Sequence, residues 1–246
     1  MDRLKLFCIP YSGGTAYAYT KWNASLPENI EICPIELSGH GKRIMEPLYD
    51  SMEEAVDDVA EQMDKQIRMN DTYAIWGHSM GSLIAYETYY RLKEMEVPLP
   101  CHMFFSGRKS PQNMSNTTSY HLLPDDEFIN AVMSYGGSTK TAMENEELRN
   151  LFLPILRSDF KISETYIYKP KAGKLACDIT IVNGDDDLSV KDADMEEWKL
   201  CTDKQCNIVV FPGDHFFLFN NSLYITDMPR NMFSKTKQLK TSLMTW

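Results

Sequence analysis

The sequence lacks a long hydrophobic run, an excess of basic residues and any cluster of cysteines and histidines with metal-ligand spacing. No stretch approaches the ~18 consecutive apolar residues of a membrane-spanning helix, so no membrane span is predicted. The formal net charge of −10 argues against general nucleic-acid binding, because that binding needs a basic face. The six cysteines form no Cys-x-x-Cys pair and follow no signal peptide, so we expect free thiols in a reducing cytoplasm and no metal site.

Strand-like and helix-like segments alternate along the first part of the chain. The 246 residues, of which 43% are hydrophobic, can bury one substantial core. Short apolar runs predict strands, and apolar residues at helical spacing predict helices, the second of which has Ser51 as its N-cap. The predicted strands are 4–10, 29–35, 73–76 and 102–106, and the predicted helices are 16–26, 52–68 and 83–92. This order predicts an α/β fold with a mostly parallel sheet and helices on both faces.

The alternation stops after the fourth predicted strand and resumes later. Residues 108–174 show only helix-like segments, which we place at 125–134, 144–156 and 159–168. We interpret residues 108–174 as a helical lid over the ligand-binding edge of an α/β core formed by 1–107 and 175–246. The alternative is a set of extra core helices without a role in binding. The resumed pattern predicts strands at 177–183 and 206–211, a helix at 192–200 and a closing helix in the tail.

The stretch YAIWGHSMGS at residues 73–82 contains Gly77-His78-Ser79-Met80-Gly81, a Gly-x-Ser-x-Gly pentapeptide. It lies between a predicted buried strand and a predicted helix, which is the setting of a nucleophile elbow. In such a turn the two glycines are needed because side chains there would collide with the strained backbone. We therefore predict that Ser79 is a catalytic nucleophile.

A serine hydroxyl needs a base within hydrogen-bond reach and a third group to orient that base. The chain has five histidines, and in this type of fold the base follows the nucleophile and the acid. His215 alone follows a late strand with an acidic candidate upstream, so we predict it to be the base. Asp185, Asp186 and Asp187 follow the preceding strand, and a Gly-x-x-Asp turn from Gly184 selects Asp187.

The oxyanion hole requires two backbone N–H donors. We expect one from Met80, which follows the nucleophile. The other should come from the loop Tyr11-Ser12-Gly13-Gly14 after the first strand, with Tyr11 favoured and Ser12 next. The alternative for these residues is an ordinary glycine turn.

Several segments, in order along residues 6 to 220, resemble a stand-alone type II thioesterase, the editing hydrolase of non-ribosomal peptide and polyketide synthetases. The most specific of them is Leu153-Pro154-Ile155-Leu156-Arg157-Ser158-Asp159-Phe160. The others are Pro10 to Gly14, Glu36-Leu37-Ser38-Gly39-His40-Gly41, the elbow, Leu123 to Phe128, Tyr135-Gly136-Gly137 and His215 to Leu218. The resemblance implies an α/β-hydrolase fold with a helical lid and a triad of Ser79, Asp187 and His215.

The chain departs from the family pattern at three places. Ser38 stands where proline is usual, Asp214 stands where glycine usually precedes the histidine, and the tail after about residue 222 matches poorly. An extra carboxylate at Asp214 is expected either to raise the basicity of His215 or to face water.

The resemblance implies hydrolysis of acyl thioesters on the phosphopantetheine arm of acyl- or peptidyl-carrier proteins, by a monomer that needs no cofactor. Carrier proteins are typically acidic, so binding one requires a local basic or apolar patch on this chain. Candidates for a basic patch are Arg108, Lys109 and Arg157. The alternative is that these three are ordinary solvated surface charges. Two alternatives use the same triad without a carrier protein, namely a small-molecule carboxylesterase and an acyl-CoA thioesterase. A non-catalytic ligand-binding protein of the same fold is a third.

Overall fold

A six-stranded, fully parallel sheet forms the centre of the computed structural model, which describes residues 3–113, 119–135, 143 and 145–220. The strand order across the sheet is β2-β1-β3-β4-β5-β6. The bounds are β1 Leu4–Ile9, β2 Ile30–Pro34, β3 Thr72–His78, β4 His102–Ser106, β5 Asp178–Gly184 and β6 Cys206–Phe211. Each predicted strand is present within a few residues of its expected position, so the predicted α/β fold with a parallel sheet is confirmed.

Seven α-helices lie in the described ranges. They are α1 Tyr17–Thr20, α2 Met52–Asp64, α3 Met80–Glu94, α4 Asp125–Met133, α5 Glu146–Glu164, α6 Asp192–Glu196 and α7 Phe217–Asn220. The predicted N-cap of α2 is confirmed, because the Ser51 hydroxyl accepts a hydrogen bond from the Glu54 N–H at 3.2 Å. The helix predicted at 16–26 is only one α-turn, continued as a 3₁₀ helix over Lys21–Ala24. The helix predicted at 192–200 likewise becomes 3₁₀ over Glu197–Cys201.

Helix α5 corrects the prediction of two helices at 144–156 and 159–168, because it runs unbroken from Glu146 to Glu164. Pro154 lies inside this helix and removes one main-chain donor from it. A continuous buried stripe outweighs that cost: Ile155, Leu156, Asp159, Ile162 and Ser163 lie at helical spacing across the predicted gap. The predicted closing helix of the tail lies outside the described residues.

Apolar side chains cover both faces of the sheet, as a fully buried parallel sheet requires. On one face α2, α3 and the segment after β5 pack in a cluster that includes Trp198 stacked on Phe105 at 4.1 Å between ring centroids. On the other face Trp76 stacks on Phe104 at 4.6 Å, and α1 and α7 close that layer. The loops that follow the strands therefore meet at one edge of a rigid layer.

The segment between β4 and β5 has a small core of its own. Phe128, Val132, Met143 and Leu156 are buried together, with the Arg157 guanidinium 4.5 Å from the Phe128 ring centroid. No β-strand lies among the described residues of this segment. Within the described residues, no helix combines the length and apolar character needed to cross a bilayer.

Candidate active site

Ser79 occupies a sharp turn between β3 and α3. Its backbone angles are φ 53° and ψ −118°, a left-handed conformation that is strained for any residue except glycine. The Ser79 N–H donates to the carbonyl oxygen of Ser106 in β4 at 2.7 Å, which ties the turn to the neighbouring strand. The Ser79 side chain makes no capping hydrogen bond to α3. Its hydroxyl is therefore presented at the N-terminal end of the helix.

The two glycines of the pentapeptide have the steric role that the sequence predicts. A Cβ on Gly77 would lie 2.2 Å from the carbonyl oxygen of Gly81, and a Cβ on Gly81 would lie 2.3 Å from the carbonyl oxygen of Ile9. Both obstacles are backbone atoms that cannot rotate away. The close approach of β3, α3 and β1 therefore requires glycine at both positions.

A buried hydroxyl network holds the turn from below. The Ser82 hydroxyl lies 2.9 Å from the Gly77 carbonyl oxygen and 3.0 Å from that of Ser106. The Ser106 hydroxyl lies 3.1 Å from the same Gly77 oxygen and 2.8 Å from Nδ1 of His78. The Ser106 hydroxyl therefore links the elbow backbone to the His78 ring.

His78 lies directly under the site. Its ring centroid is 5.0 Å from that of His215, and its Nε2 atom is buried. Burial, followed by the neighbouring His215, lowers the pKa of His78 well below its usual range. The ring is therefore neutral and adds no positive charge beneath His215.

Asp187 and His215 meet at the ends of the adjacent strands β5 and β6. The Nδ1 atom of His215 lies 2.7 Å from Oδ2 of Asp187. The other oxygen, Oδ1, accepts from the Ser189 N–H at 3.0 Å and from its hydroxyl at 2.6 Å. Burial alone would raise the pKa of Asp187, but the hydrogen bonds from His215 and Ser189 lower it. The carboxylate is thus ionised and fixes a proton on Nδ1 of His215.

The other two aspartates after β5 point elsewhere. Asp187 N–H donates to the Gly184 carbonyl oxygen at 3.2 Å, which closes the predicted turn. Asp185 accepts the Gly213 N–H at 2.9 Å, and Asp186 is exposed. Asp214, beside the histidine, accepts the Phe216 N–H at 2.8 Å and so stabilises its own loop.

A cavity of about 100 Å³ lies over these residues, and both Ser79 and His215 line it. Their side chains make no hydrogen bond to each other, a contact that often tightens only when substrate binds. Five polar side chains and three apolar ones from the segment after β4 also line the cavity, Tyr120 and Ser163 among the polar ones. The eight are Arg108, Tyr120, Tyr135, Ser163, Glu164, Val132, Leu156 and Phe160.

The residues expected to supply the oxyanion donors lie in two segments that are in contact. Met80 is the first residue of α3, and its sulfur is 3.7 Å from the Ser12 hydroxyl in the loop after β1. In that loop the Gly14 N–H donates to the Tyr11 carbonyl oxygen at 2.8 Å. The Tyr11 ring packs edge-on to Phe216 at 5.0 Å. The loop that carries Tyr11 and Ser12 is therefore a tight turn beside the elbow.

Of the five histidines, all of which are described, His215 alone lines the cavity with Ser79. His102 lies 2.9 Å from the Thr180 hydroxyl, and burial lowers its pKa to about 4. His121 lies 2.5 Å from Glu164. His40 lies 2.9 Å from Asp159, and the sequence pattern alone predicts a role for neither residue. A carboxylate on the buried stripe of α5 was the available signal, since an aspartate rarely occupies such a face without a partner.

The three basic candidates for partner binding are engaged within the molecule. Arg157 donates to the carbonyl oxygens of His121 and Leu123 at 2.5 and 2.8 Å and pairs with Asp125 at 2.6 Å. Lys109 lies 3.4 Å from Asp194. Arg108 lines the cavity, where burial lowers its pKa to about 10. These residues therefore do not form an open basic patch.

Comparisons with known proteins agree with this geometry. The family model described as a thioesterase domain matches residues 4–228. The gramicidin S biosynthesis protein GrsT of Aneurinibacillus migulanus is 36% identical over 219 residues, which cover 89% of this chain and 84% of GrsT. The medium-chain S-acyl fatty acid synthase thioesterase of Homo sapiens is 31% identical over 223 residues, covering 88% and 81% of the two chains.

Among solved structures, ClbQ from the colibactin NRPS/PKS pathway superimposes with a TM-score of 0.92 at 32% identity, covering 97% of this chain and 100% of that chain. This likeness extends from the sheet to the segment between β4 and β5. Because the family match spans most of the chain and is accompanied by relatives above 30% identity, the chain belongs to the thioesterase family.

Proposed function

We propose that this thioesterase works through an acyl-enzyme, with Ser79 as nucleophile, His215 as general base and Asp187 as the group that orients the histidine. The observation that carries the proposal is the 2.7 Å contact between Asp187 Oδ2 and His215 Nδ1 in a cavity that Ser79 also lines. That contact keeps the proton on Nδ1, so the lone pair on Nε2 is available for the Ser79 proton.

In the first step Ser79 Oγ attacks the thioester carbonyl carbon while His215 Nε2 takes the hydroxyl proton. The carbonyl electron pair moves onto oxygen, where the N–H groups of Met80 and Tyr11 would stabilise the negative charge. Collapse of this intermediate breaks the carbon–sulfur bond. A thiol has a pKa near 8.5, so the thiolate leaves readily and then takes the proton from His215.

In the second step water attacks the acyl-serine ester. His215 Nε2 removes a proton from the water as the new carbon–oxygen bond forms. The second tetrahedral intermediate then expels Ser79 Oγ, which regains its proton from His215. The products are a free acid and a thiol, and the enzyme returns to its starting state.

We further propose that the substrate is an acyl group on the phosphopantetheine arm of a carrier protein in non-ribosomal peptide or polyketide synthesis. The names of GrsT and ClbQ, which refer to gramicidin S biosynthesis and to an NRPS/PKS pathway, support this assignment. Hydrolysis there would release stalled or wrong acyl groups. Such synthetases operate in the cytoplasm, where the six free thiols of this chain would stay reduced, and we propose that the enzyme acts as a monomer.

The segment 108–174 acts in this proposal as a lid on the core formed by 1–107 and 175–246. Tyr135, Leu156 and Phe160 of this segment face the cavity together with His215. A lid that supplies part of the acyl wall can exclude water during the first step and admit it in the second.

The cavity beside Ser79 does not end at the residues that line it. Tyr11, Ser12, Leu156 and Phe216 also line a second cavity of about 590 Å³, whose further walls include the apolar residues Trp22 and Phe152. An acyl chain could therefore extend from Ser79 along apolar side chains.

The test is a panel of carrier proteins loaded with acyl groups from two to ten carbons, followed by intact-protein mass spectrometry. We expect release from the carrier at a kcat/KM at least about tenfold above that for the matching acyl-CoA, since each 1.4 kcal/mol of partner contact gives a factor of ten.

Ser79→Ala is the control for every substrate, and a fluorophosphonate probe should label Ser79 with one equivalent. Equal rates on carrier, acyl-CoA and simple esters would point to an esterase or acyl-CoA thioesterase instead. Full activity of Ser79→Ala would overturn the mechanism, and absence of both labelling and turnover would indicate a ligand-binding protein.

A further inference from the structure

Asp159 is a buried carboxylate that the proposed triad does not use. It lies on the inner face of α5 and is 1% exposed. A single oxygen, Oδ2, accepts the Gly13 N–H at 2.7 Å and lies 2.9 Å from Nε2 of His40. This atom therefore joins three segments that are far apart in the sequence: the lid helix, the loop after β1 and the loop after β2.

The hydrogen bonds around His40 determine its charge. Its Nδ1 atom lies 2.9 Å from the Ser38 carbonyl oxygen and its Nε2 atom lies 2.9 Å from the Asp159 carboxylate. A carbonyl oxygen and a carboxylate both only accept, so both ring nitrogens must carry protons. His40 is thus an imidazolium buried against Asp159.

The charges that face His40 agree with this proton count. Burial tends to lower the pKa of His40, but the hydrogen bond and charge of Asp159, the Ser38 carbonyl and the charge of Glu36 together raise it. Asp159 comes from α5, whereas Ser38 and Glu36 belong to the same loop as His40. The imidazolium in turn neutralises Asp159 and keeps its oxygen an acceptor for Gly13.

Gly13 lies in the tight turn that carries the proposed oxyanion donor Tyr11. Its φ of +74° is left-handed, and a Cβ there would lie 2.6 Å from Cδ2 of Leu156 on α5. At the other end of the turn, a carboxylate oxygen of Glu36 accepts the Ala16 N–H at 2.9 Å. The turn is therefore held between two carboxylates and pressed against the lid helix.

We propose that Asp159 and His40 are positioning residues for the oxyanion loop, and that they make its geometry depend on the seating of the lid helix. This inference rests on the proposed function for the role of Tyr11. Oxyanion donors act only when they lie within about 2.7–3.1 Å of the developing charge, so a small displacement of the turn lowers the rate. The effect should appear in kcat, because ground-state binding of the acyl group uses other walls of the cavity.

Asp159→Asn is the informative variant because it keeps the size of the side chain and removes its charge. The amide oxygen can replace Oδ2 only while His40 keeps its Nε2 proton, and without the carboxylate that proton is lost at lower pH. Above that pH, Nε2 carries no proton and accepts a hydrogen bond from the NH₂ group of the amide. The same NH₂ group then faces the Gly13 N–H, so two donors meet and the hydrogen bond to Gly13 is lost. The variant should therefore approach wild-type kcat at pH 6 and fall below it at pH 8.

Lys161→Met is the matched control. Lys161 is on the same helix and lies 3.2 Å from Asp50, a residue in the loop before α2, but this exposed contact does not reach Gly13. Rates are measured on a small-thiol thioester and on a p-nitrophenyl ester, so the result does not depend on a carrier protein. We expect Asp159→Asn to lower kcat about 10- to 100-fold at pH 8 with KM within about twofold, and Lys161→Met to match wild type.

Two readouts do not need turnover. The rate at which a fluorophosphonate modifies Ser79 should fall in parallel with kcat, because its phosphoryl oxygen uses the same donors. In ¹H–¹⁵N spectra the Gly13 amide proton should move upfield at pH 8 in Asp159→Asn and keep its wild-type shift in Lys161→Met, since a hydrogen bond to a carboxylate is lost in the first variant alone.

The inference is overturned if folded Asp159→Asn keeps wild-type kcat and phosphonylation rate at pH 8, or loses both by the same factor at pH 6 and pH 8. A purely structural role would give that second result, together with a lower melting temperature. Failure of the proposed function looks different: full activity of Ser79→Ala removes the mechanism, and hydrolysis of small esters without release from carriers removes the carrier substrate. If only the carrier substrate is wrong, the comparison of Asp159→Asn with Lys161→Met on small substrates still tests the positioning role of Asp159.

Discussion

Two buried histidine–aspartate pairs lie in this molecule, and they serve different purposes. His215 and Asp187 are 2.7 Å apart, with side chains 6% and 2% exposed, and His40 and Asp159 are 2.9 Å apart, with side chains 1% and 2% exposed. Distance and burial hardly distinguish the two pairs. The pairs differ in the surroundings of the ring nitrogen that does not face the aspartate.

Nε2 of His215 has no hydrogen-bond partner among the described residues, and its ring lines the cavity. In His40 the second nitrogen faces the Ser38 carbonyl oxygen, so both nitrogens have acceptors. A histidine with one acceptor can be neutral and take a proton, whereas a histidine with two acceptors is held as a cation. The number of acceptors around the ring therefore separates a base from a structural charge.

The largest effect on kcat is expected for Asp187→Asn, which reverses the hydrogen bond between the two members of the catalytic pair. Asp187→Asn can donate to His215 Nδ1 and so favours the tautomer with the proton on Nε2, which cannot accept the Ser79 proton. We expect kcat to fall about 10⁴-fold with little change in fold, as the loss of a triad aspartate does in serine proteases. Steady-state kinetics on a small thioester measures this.

Asp186→Asn is the control for that variant, because Asp186 is exposed in the same turn. It should keep wild-type kcat. A loss of less than tenfold in Asp187→Asn would mean that His215 does not depend on this carboxylate.

The next largest effect is expected on the free energy of unfolding, when the pair of His40 and Asp159 is broken. Asp159→Leu leaves the His40 charge buried without its partner, and removing one member of a buried ion pair typically costs about 3–5 kcal/mol. We expect a loss in the free energy of unfolding of that size at pH 6, measured by urea denaturation. Asp187→Leu should cost less, because His215 lines the cavity, whereas both ring nitrogens of His40 face buried acceptors.

A double-mutant cycle sharpens this prediction. The variant with both His40→Leu and Asp159→Leu contains no unpaired charge, so its loss should be smaller than the sum of the two single losses by about 1–3 kcal/mol. Additive losses would indicate that the two residues do not interact as an ion pair.

Gly13 provides a third comparison, with Gly173 as its counterpart. Both have positive φ, +74° and +91°, but a Cβ on Gly173 would meet nothing within 4 Å. Gly173→Ala should therefore cost about 1–2 kcal/mol from backbone strain alone. Gly13→Ala adds the collision with Leu156, about 1–3 kcal/mol more, and should also lower kcat. Equal losses in the two variants would mean that Leu156 moves aside freely.

Much of the fold could be predicted because each local signal agrees with the tertiary structure. The strand at His102–Ser106 and the cap at Ser51 were expected where they are found. The break predicted between residues 156 and 159 was wrong, because a buried stripe from Ile155 to Ile162 keeps α5 continuous. Long-range packing of that kind has no local signature.

The candidate site also combines residues that the sequence predicts with residues that only long-range packing brings together. Ser79, Asp187 and His215 each follow a strand, so topology alone brings them to one edge of the sheet. Asp159 and His40 are separated by 119 residues and lie on a helix and in a loop, so no strand order predicts their contact. Their segments carry the family resemblance, but only the coordinates relate Asp159 to Gly13.

The smallest expected effect is the pH dependence of stability, and it has opposite signs for the two pairs. The pKa of His40 is raised, so its contribution is complete below about pH 6.5 and is lost as pH rises through its pKa in the folded protein. The pKa of Asp187 is lowered, so its contribution is present above about pH 4 and is lost as pH falls through the folded value.

The measurement is the free energy of unfolding in urea as a function of pH. The difference in this free energy between wild type and His40→Gln should shrink above pH 6.5 by at most about 1.4 kcal/mol per pH unit. The difference between wild type and Asp187→Asn should stay constant from pH 5 to 8 and shrink only near pH 4. A His40→Gln difference that stays constant up to pH 9 would show that His40 is not held as a cation.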